Sequence, residues 1–460
     1  MTREELTEIL ERVHEGIAER RMGAVRPLLE VLRPQDIAEV MNELSEGERP
    51  LLYRLLPKET AAEVLVEMTH DDRCALIAAF SDEELRRVMD EVYADDAADM
   101  LEDMPANFVR RILRSCTPEM RRSVNRLLRY PEGSAGSIMT TEYVALTPEM
   151  TVDEALAHIR SVALDSETVY TCYVTGAGRL LVGIVTVRML LLARPEATVG
   201  SLMETSVISV GTHDEREAVA RLLERYRFLA LPVVDTDDRL VGIITVDDAQ
   251  TVISEEVEED FAKMAAITGA SDKPYLRTSV WSLFLSRFPW LLLLMVGATF
   301  TGLIITSAER ALAASVVLTS FIPMLMGTGG NSGSQSSVTV IRGLSLGEIA
   351  HRDILKVVLK ELCVATLCGL ALSVVNFGKI LLVDGLLFGN AAVTPMVALT
   401  VCVALLVTVV VAKLIGCILP ILVSRIGLDP AVMASPFITT LVDAVSLAVY
   451  FALATLLLGL

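Results

Sequence analysis

A single carboxylate, Asp443, stands inside the last apolar run of the chain, PFITTLVDAVSLAVYFALATLLL. At membrane depth a charged side chain is costly unless water, a cation or a basic group meets it. Pro436, just upstream, is expected to remove an amide donor and free a carbonyl one turn back, while Thr439 and Thr440 add hydroxyl oxygens. Lys413, in the preceding apolar run, is the rival partner for the carboxylate. A second oxygen-rich stretch is PMLMGTGGNSGSQSSVTVIRG, residues 323–343, which follows sixteen charge-free residues from Ala311 to Met326. Those sixteen would rise about 24 Å in a helix, short of the roughly 30 Å of a hydrocarbon layer, which leaves the glycines at membrane depth. Backbone groups freed at Gly327, Gly329, Gly330 and Gly333 would then need burial in protein or a wet cavity. Glycine allows close helix packing as well as exposed carbonyls, and Asn331, Ser332, Ser334 and Gln335 offer further oxygens. An all-oxygen set without His or Cys suits a hard ion such as Mg2+, which gives up its water reluctantly.

The elements that must position these groups divide the chain in two. From Trp281 onward there are nine Lys or Arg and seven acids, which leaves 31 basic and 52 acidic side chains in the part before it, a net of -21. The 460 residues are 52% apolar, with a mean hydropathy of +0.51. An acidic soluble half therefore precedes a near-neutral apolar half. Such a surface disfavours nucleic acid and anionic lipid and suits cations. The opening MTREELTEILERVHEG has no apolar h-region, so the acidic half is expected to stay in the cytoplasm. The seven cysteines form no CxxC pair and read as reduced packing residues.

Residues 1–130 read as a string of short amphipathic helices. RPQDIAEVMNEL, LPKETAAEVLVEM, FSDEELRRVMDEV and YADDAADMLEDM recur about every 20 residues, each opening on a proline or small polar residue and an acid. A stacked superhelical array follows, because one such unit cannot bury its apolar face alone. The next part is duplicated. IMTTEYVALTPEMTVDEALAHIR with TCYVTGAGRLLVGIVTVRML matches LMETSVISVGTHDEREAVARLLER with LPVVDTDDRLVGIITVDDA. GRLLVGIVT and DRLVGIIT make this resemble a tandem pair of CBS domains, at 136–199 and 200–252, and the resemblance implies a ligand-sensing module. Residues 253–280 form an acid-rich connecting helix, where Glu255, Glu256, Glu258, Glu259 and Asp260 crowd within two turns and should need neutralising.

Five spans are expected in 281–460, near 284–306, 311–340, 357–383, 393–424 and 431–459. Arg277 and Arg287 precede the first, Arg342, Arg352, Lys356 and Lys360 lie between the second and third, and Arg425 lies between the fourth and fifth. The positive-inside tendency puts the N-terminus in the cytoplasm and the C-terminus outside. The expected fold class is thus a multidomain membrane protein. It joins an α-helical superhelical domain, an α+β CBS pair, a connecting helix and a five-helix transmembrane domain.

PMLMGTGGNSGSQS, DPAVMASPFITTLVDA, the CBS pair and the acidic connecting helix, in that order, resemble the MgtE family of magnesium channels over nearly the whole chain. The resemblance implies a homodimer in the plasma (inner) membrane that passes hydrated Mg2+ into the cytoplasm. It carries the pore acid onto Asp443 and the GTGGN turn onto Gly327, Thr328, Gly329, Gly330 and Asn331. It also implies that cytosolic Mg2+, as regulator, bridges acidic faces and closes the pore through the connecting "plug" helix. The matching acids are Asp95, Asp99, Asp248, Glu256, Glu259 and Asp260, with Glu217 a weaker match; Asp95 and Asp99 are four apart and share a helix face. Arg227 and Thr251 stand where some relatives carry acids, against a cation site in that part of the CBS pair. An adenine nucleotide is a further candidate ligand of the CBS pair. The rival readings are a transporter of another divalent ion such as Co2+ or Mn2+, and a non-transporting membrane sensor with a nucleotide-binding CBS pair. No enzyme reading is attractive: GTGGNSGS lacks the GK[ST] of a phosphate loop, and five histidines supply no nucleophile–His–acid set.

Overall fold

The structure is a computed structural model that describes residues 2–102, 104–164, 166–269, 275–276, 278–389, 392–433 and 435–459. Arg277, counted above among the basic residues, lies outside them, as do 270–274 of the connecting segment. Two compact units result, Met1–Glu256 and Val257–Leu460.

The first unit begins with ten short helices among the described residues, from Arg3–Ala18 to Pro118–Leu127. Their starts follow the expected chemistry. Ser81 accepts from the Glu84 amide while Glu84 reaches back to the Ser81 amide, and Pro34 opens Pro34–Glu43 where its missing N–H costs nothing. Their apolar stripes, including Ile37, Met41, Leu65, Leu85 and Met89, share one core with Met139, Val219 and Leu231 of the duplicated part.

Each half of the duplication forms a three-stranded sheet. Tyr143–Leu146 pairs parallel with Thr168–Thr175, which pairs antiparallel with Leu181–Thr186; Val210–Gly211, Ala230–Val234 and Leu240–Thr245 repeat the pattern. The glycine of each VGI phrase has a steric reason. A Cβ on Gly183 would fall 2.8 Å from the Met203 sulfur, and one on Gly242 2.7 Å from the Met139 sulfur, so the lead-in of each repeat crosses the strand of the other.

The acidic helix is one continuous element, Val246–Met264, which starts inside the second repeat rather than after it. Three of its acids are paired locally: Arg216 lies 3.0 Å from Glu255 and 3.2 Å from Glu256, and Lys263 lies 2.7 Å from both Glu259 and, off the helix, Asp429.

Among the described residues of the second unit, four helices are long and apolar enough to cross a membrane: Val280–Ser307, His351–Leu387, Pro395–Arg425 and Pro436–Leu458. The third of these is the buried centre, packed against Ile322–Ser345, Ile354–Lys379 and Ser435–Leu458. The expected second span differs. Residues 311–340 are not one helix: a short helix Glu309–Ala314 and a 3-10 stretch Val316–Phe321 come first, then the α-helix Ile322–Ser345. The glycine run is therefore helical, and the expected GTGGN turn with unwound carbonyls is corrected. Its backbone groups bond within the helix, and its small residues serve close packing. Gly333 and Gly416 touch backbone to backbone, since a Cβ on Gly416 would lie 2.2 Å from the Gly333 carbonyl oxygen.

That contact predicts an asymmetry between glycines. Gly416→Ala should cost about 1–3 kcal/mol by overpacking, whereas Gly302→Ala, with open space around it, should leave the thermal midpoint in detergent unchanged or slightly higher. Equal midpoints for the two variants would contradict the seam.

Candidate cation sites

Asp443 lies on Ser435–Leu458, about 12 Å from its start rather than the deeper placement expected from a span beginning at 431. Pro436 occupies the first turn of that helix, where a missing amide breaks no internal bond, so it does not free a carbonyl in the way anticipated. Instead its own carbonyl accepts from both the Thr439 and Thr440 hydroxyls, each at 2.9 Å. Asp443 is half-buried, and among the described residues no hydrogen bond or ion pair reaches it. The rival Lys413 turns elsewhere, its ammonium 4.0 Å from Glu361. Opposite Asp443 stands the glycine helix: a Cβ on Gly330 would lie 3.6 Å from Asp443 Oδ1 and 3.1 Å from the Thr439 methyl. Gly329 faces Ser446, Thr408 and Val442 in the same way. Gly327 has open space beside it. Thr328 and Asn331 lie on the same helix turns. The arrangement is a lone carboxylate against a helix face with no side chains in the way.

The first unit holds a denser charge problem. Asp95, Asp96 and Asp99 come from Ala94–Glu102, Asp247 and Asp248 from the start of Val246–Met264, and Glu167 from the loop before Thr168–Thr175. Burial first, then Asp96, lifts Asp95 to about 7. Burial and the charges of Asp95 and Asp248 lift Asp99 to about 8. Burial with Asp95, Asp248, Asp247 and Asp96 lifts Glu167 to about 8, and burial with Asp248 and Asp247 lifts Asp96 to about 6. Asp248 is raised to about 7 by burial despite a hydrogen bond from Thr245 at 2.5 Å. Arg73 lowers Asp96, while its guanidinium also donates to the Val66 and Met68 carbonyls. Asp95 is buried, and its Oδ1 has no hydrogen-bond partner.

Among the described residues no three His, Cys, Asp or Glu side chains converge tightly enough to form a ready coordination shell. The cluster suits an ion that keeps part of its water and is held by charge and outer-sphere contact. The structure thus brings Asp95, Asp99 and Asp248 together. Asp96, Asp247 and Glu167 join them, unforeseen in the sequence: the two aspartates are neighbours of chosen residues, whereas Glu167 arrives from a loop that carries no local signal. Glu217 does not join; it pairs with Arg221 one turn on. Glu256 and Glu259 pair with Arg216 and Lys263, and Asp260 lies on the same helix. Arg227 caps Arg216–Tyr226 in a left-handed conformation, and Thr251 donates to the Asp247 carbonyl.

Comparison with known proteins adds an independent line. The divalent cation transporter model of MgtE matches residues 322–453, the MgtE intracellular N domain matches 32–133, and CBS domains match 135–196 and 199–255. The magnesium transporter MgtE of Thermus thermophilus is 38% identical over 97% of this chain and 98% of its own. The chain belongs to the MgtE family. Its Bacillus subtilis relative, also named magnesium transporter MgtE, is 38% identical over 73% of this chain and 72% of its own. Among solved structures, the cytosolic domain of the Mg2+ channel MgtE in complex with ATP overlays at a TM-score of 0.51 with 38% identity. It covers 53% of this chain and 99% of that one. The soluble part of a magnesium transporter overlays equally well at 30% identity, covering 55% and 99%. This MgtE-family chain is accordingly a membrane protein whose helical N-terminal part and CBS pair precede several apolar helices.

The raised carboxyls fix a sign. They hold protons in the fold that the unfolded chain has released, so without divalent cation the stability of this unit falls as pH rises from about 4 to about 8. A bound cation displaces those protons. Mg2+ titrated into the full-length protein near pH 7 should release protons, read as a dependence of the calorimetric enthalpy on the buffer's ionisation enthalpy. Asp99→Asn should reduce that release, and buffer-independent enthalpies would contradict the cluster.

Proposed function

We propose that this MgtE-family protein passes hydrated Mg2+ into the cytoplasm and closes when cytosolic Mg2+ is plentiful. The single observation that carries the reading is Asp443, a carboxylate without a protein counter-charge, set 3.6 Å from the space beside Gly330. A doubly charged aquo-ion would supply the missing charge from the open side of the half-buried carboxylate. Thr328, Asn331, Thr439 and Thr440 would line the same path. One such acid per chain suits a homodimer in which two copies face each other. The protein acts as a transporter rather than an enzyme, in the plasma membrane, with its N-terminus cytoplasmic and C-terminus outside as the basic residues suggest.

Regulation rests on the buried acids. Mg2+ bound among Asp95, Asp99 and Asp248 relieves repulsion that otherwise loosens Ala94–Glu102 from the CBS pair, and loss of the ion shifts the population toward the loosened form. The acid-rich helix Val246–Met264, through Glu256, Glu259 and Asp260, carries that change along the chain toward the membrane helices. The solved ATP complex of a relative supports an adenine nucleotide as a second ligand of the CBS pair.

Asp443→Ala should abolish Mg2+ flux in liposomes while leaving the thermal midpoint of the purified protein within a few degrees. Normal flux through that variant would refute the assignment. Glu259→Gln should alter the dose dependence of closure by Mg2+ more than maximal flux, and an unchanged dose dependence would remove the connecting helix from the sensor. Competition among Mg2+, Ca2+, Co2+ and Mn2+ separates this reading from that of a transporter for another divalent ion.

A further inference from the structure

The membrane unit contains a second buried charge cluster, which the transport reading does not use. Glu361, on Ile354–Lys379, lies between two other helices. It accepts a hydrogen bond from Ser336 of the glycine helix and lies 4.0 Å from the ammonium of Lys413 on the central helix. Ser336 and Lys413 are buried, and the Glu361 side chain is only 15% exposed. From the structure we infer that Glu361 is a positioning residue for transport: it fixes the axial register of Ile322–Ser345 against Pro395–Arg425, and so fixes where Gly330 stands opposite Asp443. This inference rests on the transport reading.

Gly333 meets Ala412, Ile438 and Gly416 with no side chain of its own, and a slip along the helix axis would bring Ser332 or Ser334 into a contact that only glycine fits, so the seam needs a fixed register. A slip of one residue would move the glycine face by about 1.5 Å, comparable with the clearance that decides whether an ion and its water fit. Ser336 is three residues from Gly333, on the same side of the helix, and Lys413 is three residues from Gly416. One carboxylate therefore ties both sides of the glycine contact to a third helix, one turn away from it. Stability alone is a poor reason for such a pair, because replacing both members of a buried ion pair by apolar residues is often neutral or stabilising. Removing only one leaves an unmatched charge.

The test uses full-length protein in liposomes, with wild-type flux measured in the same preparation. The double variant Glu361→Leu/Lys413→Met should melt at or above the wild-type midpoint. Its half-saturating Mg2+ should nevertheless shift by about threefold or more, and its preference for Mg2+ over Ca2+ should weaken. Ser336→Ala, which frees the glycine helix but keeps the pair, should move the same two quantities in the same direction by less. The exchange Glu361→Lys/Lys413→Glu should recover less than half of the shift, because the serine then faces an ammonium. Wild-type half-saturation and preference in both the apolar double variant and Ser336→Ala would overturn the positioning role. Absence of flux in the wild-type protein would instead overturn the transport reading beneath it.

Discussion

A carboxylate withdrawn from water needs a positive partner, and several basic side chains near the acids of this chain are held by other groups. Lys413 is directed to Glu361 and not to Asp443. Arg216 and Lys263 are held by the acids of the connecting helix and Asp429. Arg73 spends its guanidinium on main-chain carbonyls beside the acid cluster. Acidic groups are crowded or left without a basic partner at two separate places, and protons or a mobile cation are the two ways to meet them. In the proposed function one kind of deficit serves both places, conduction at Asp443 and sensing in the cytosolic cluster.

The two places differ in how they tolerate the deficit. At Asp443 the carboxylate is only half-buried, and the facing helix presents Gly329, Gly330 and Gly333 in place of side chains. In the cytosolic cluster, Asp95 is buried, Asp248 and Glu167 are half-buried and Asp99 keeps an open side, and lost hydration together with crowding by neighbouring acids raises all four carboxyls toward neutral pH. Protonation and cation binding are alternative ways of relieving one repulsion, so under the proposed regulation closure would depend on pH as well as on Mg2+.

Much of this was legible in the residues. The duplication, the recurring capped helices and the lone acid in an apolar run each have a local signature, and the chain's order of parts is that of its family. The misreadings share a cause. Glycine and serine between positions 327 and 336 were expected to unwind because their intrinsic helix propensity is low, but tertiary packing overrides propensity where backbones must touch, as Gly333 and Gly416 do. Pro436 was read as a helix interrupter because the helix start was placed four residues too early. Glu167 could not be found at all from pattern, since only the fold brings its loop to Ala94–Glu102. Glu217 matched a pattern yet is satisfied by Arg221, a pairing visible as an i, i+4 spacing.

The most direct test of the claim that an external cation completes both charge deficits is Mg2+ flux through the reconstituted wild-type protein with the concentration on the cytosolic face varied independently of the driving gradient. The account predicts uptake that is brisk at low cytosolic Mg2+ and falls steeply as that concentration rises, with the fall shifted to higher Mg2+ at lower pH. Flux that is absent, or that ignores the cytosolic concentration at every pH, would contradict it.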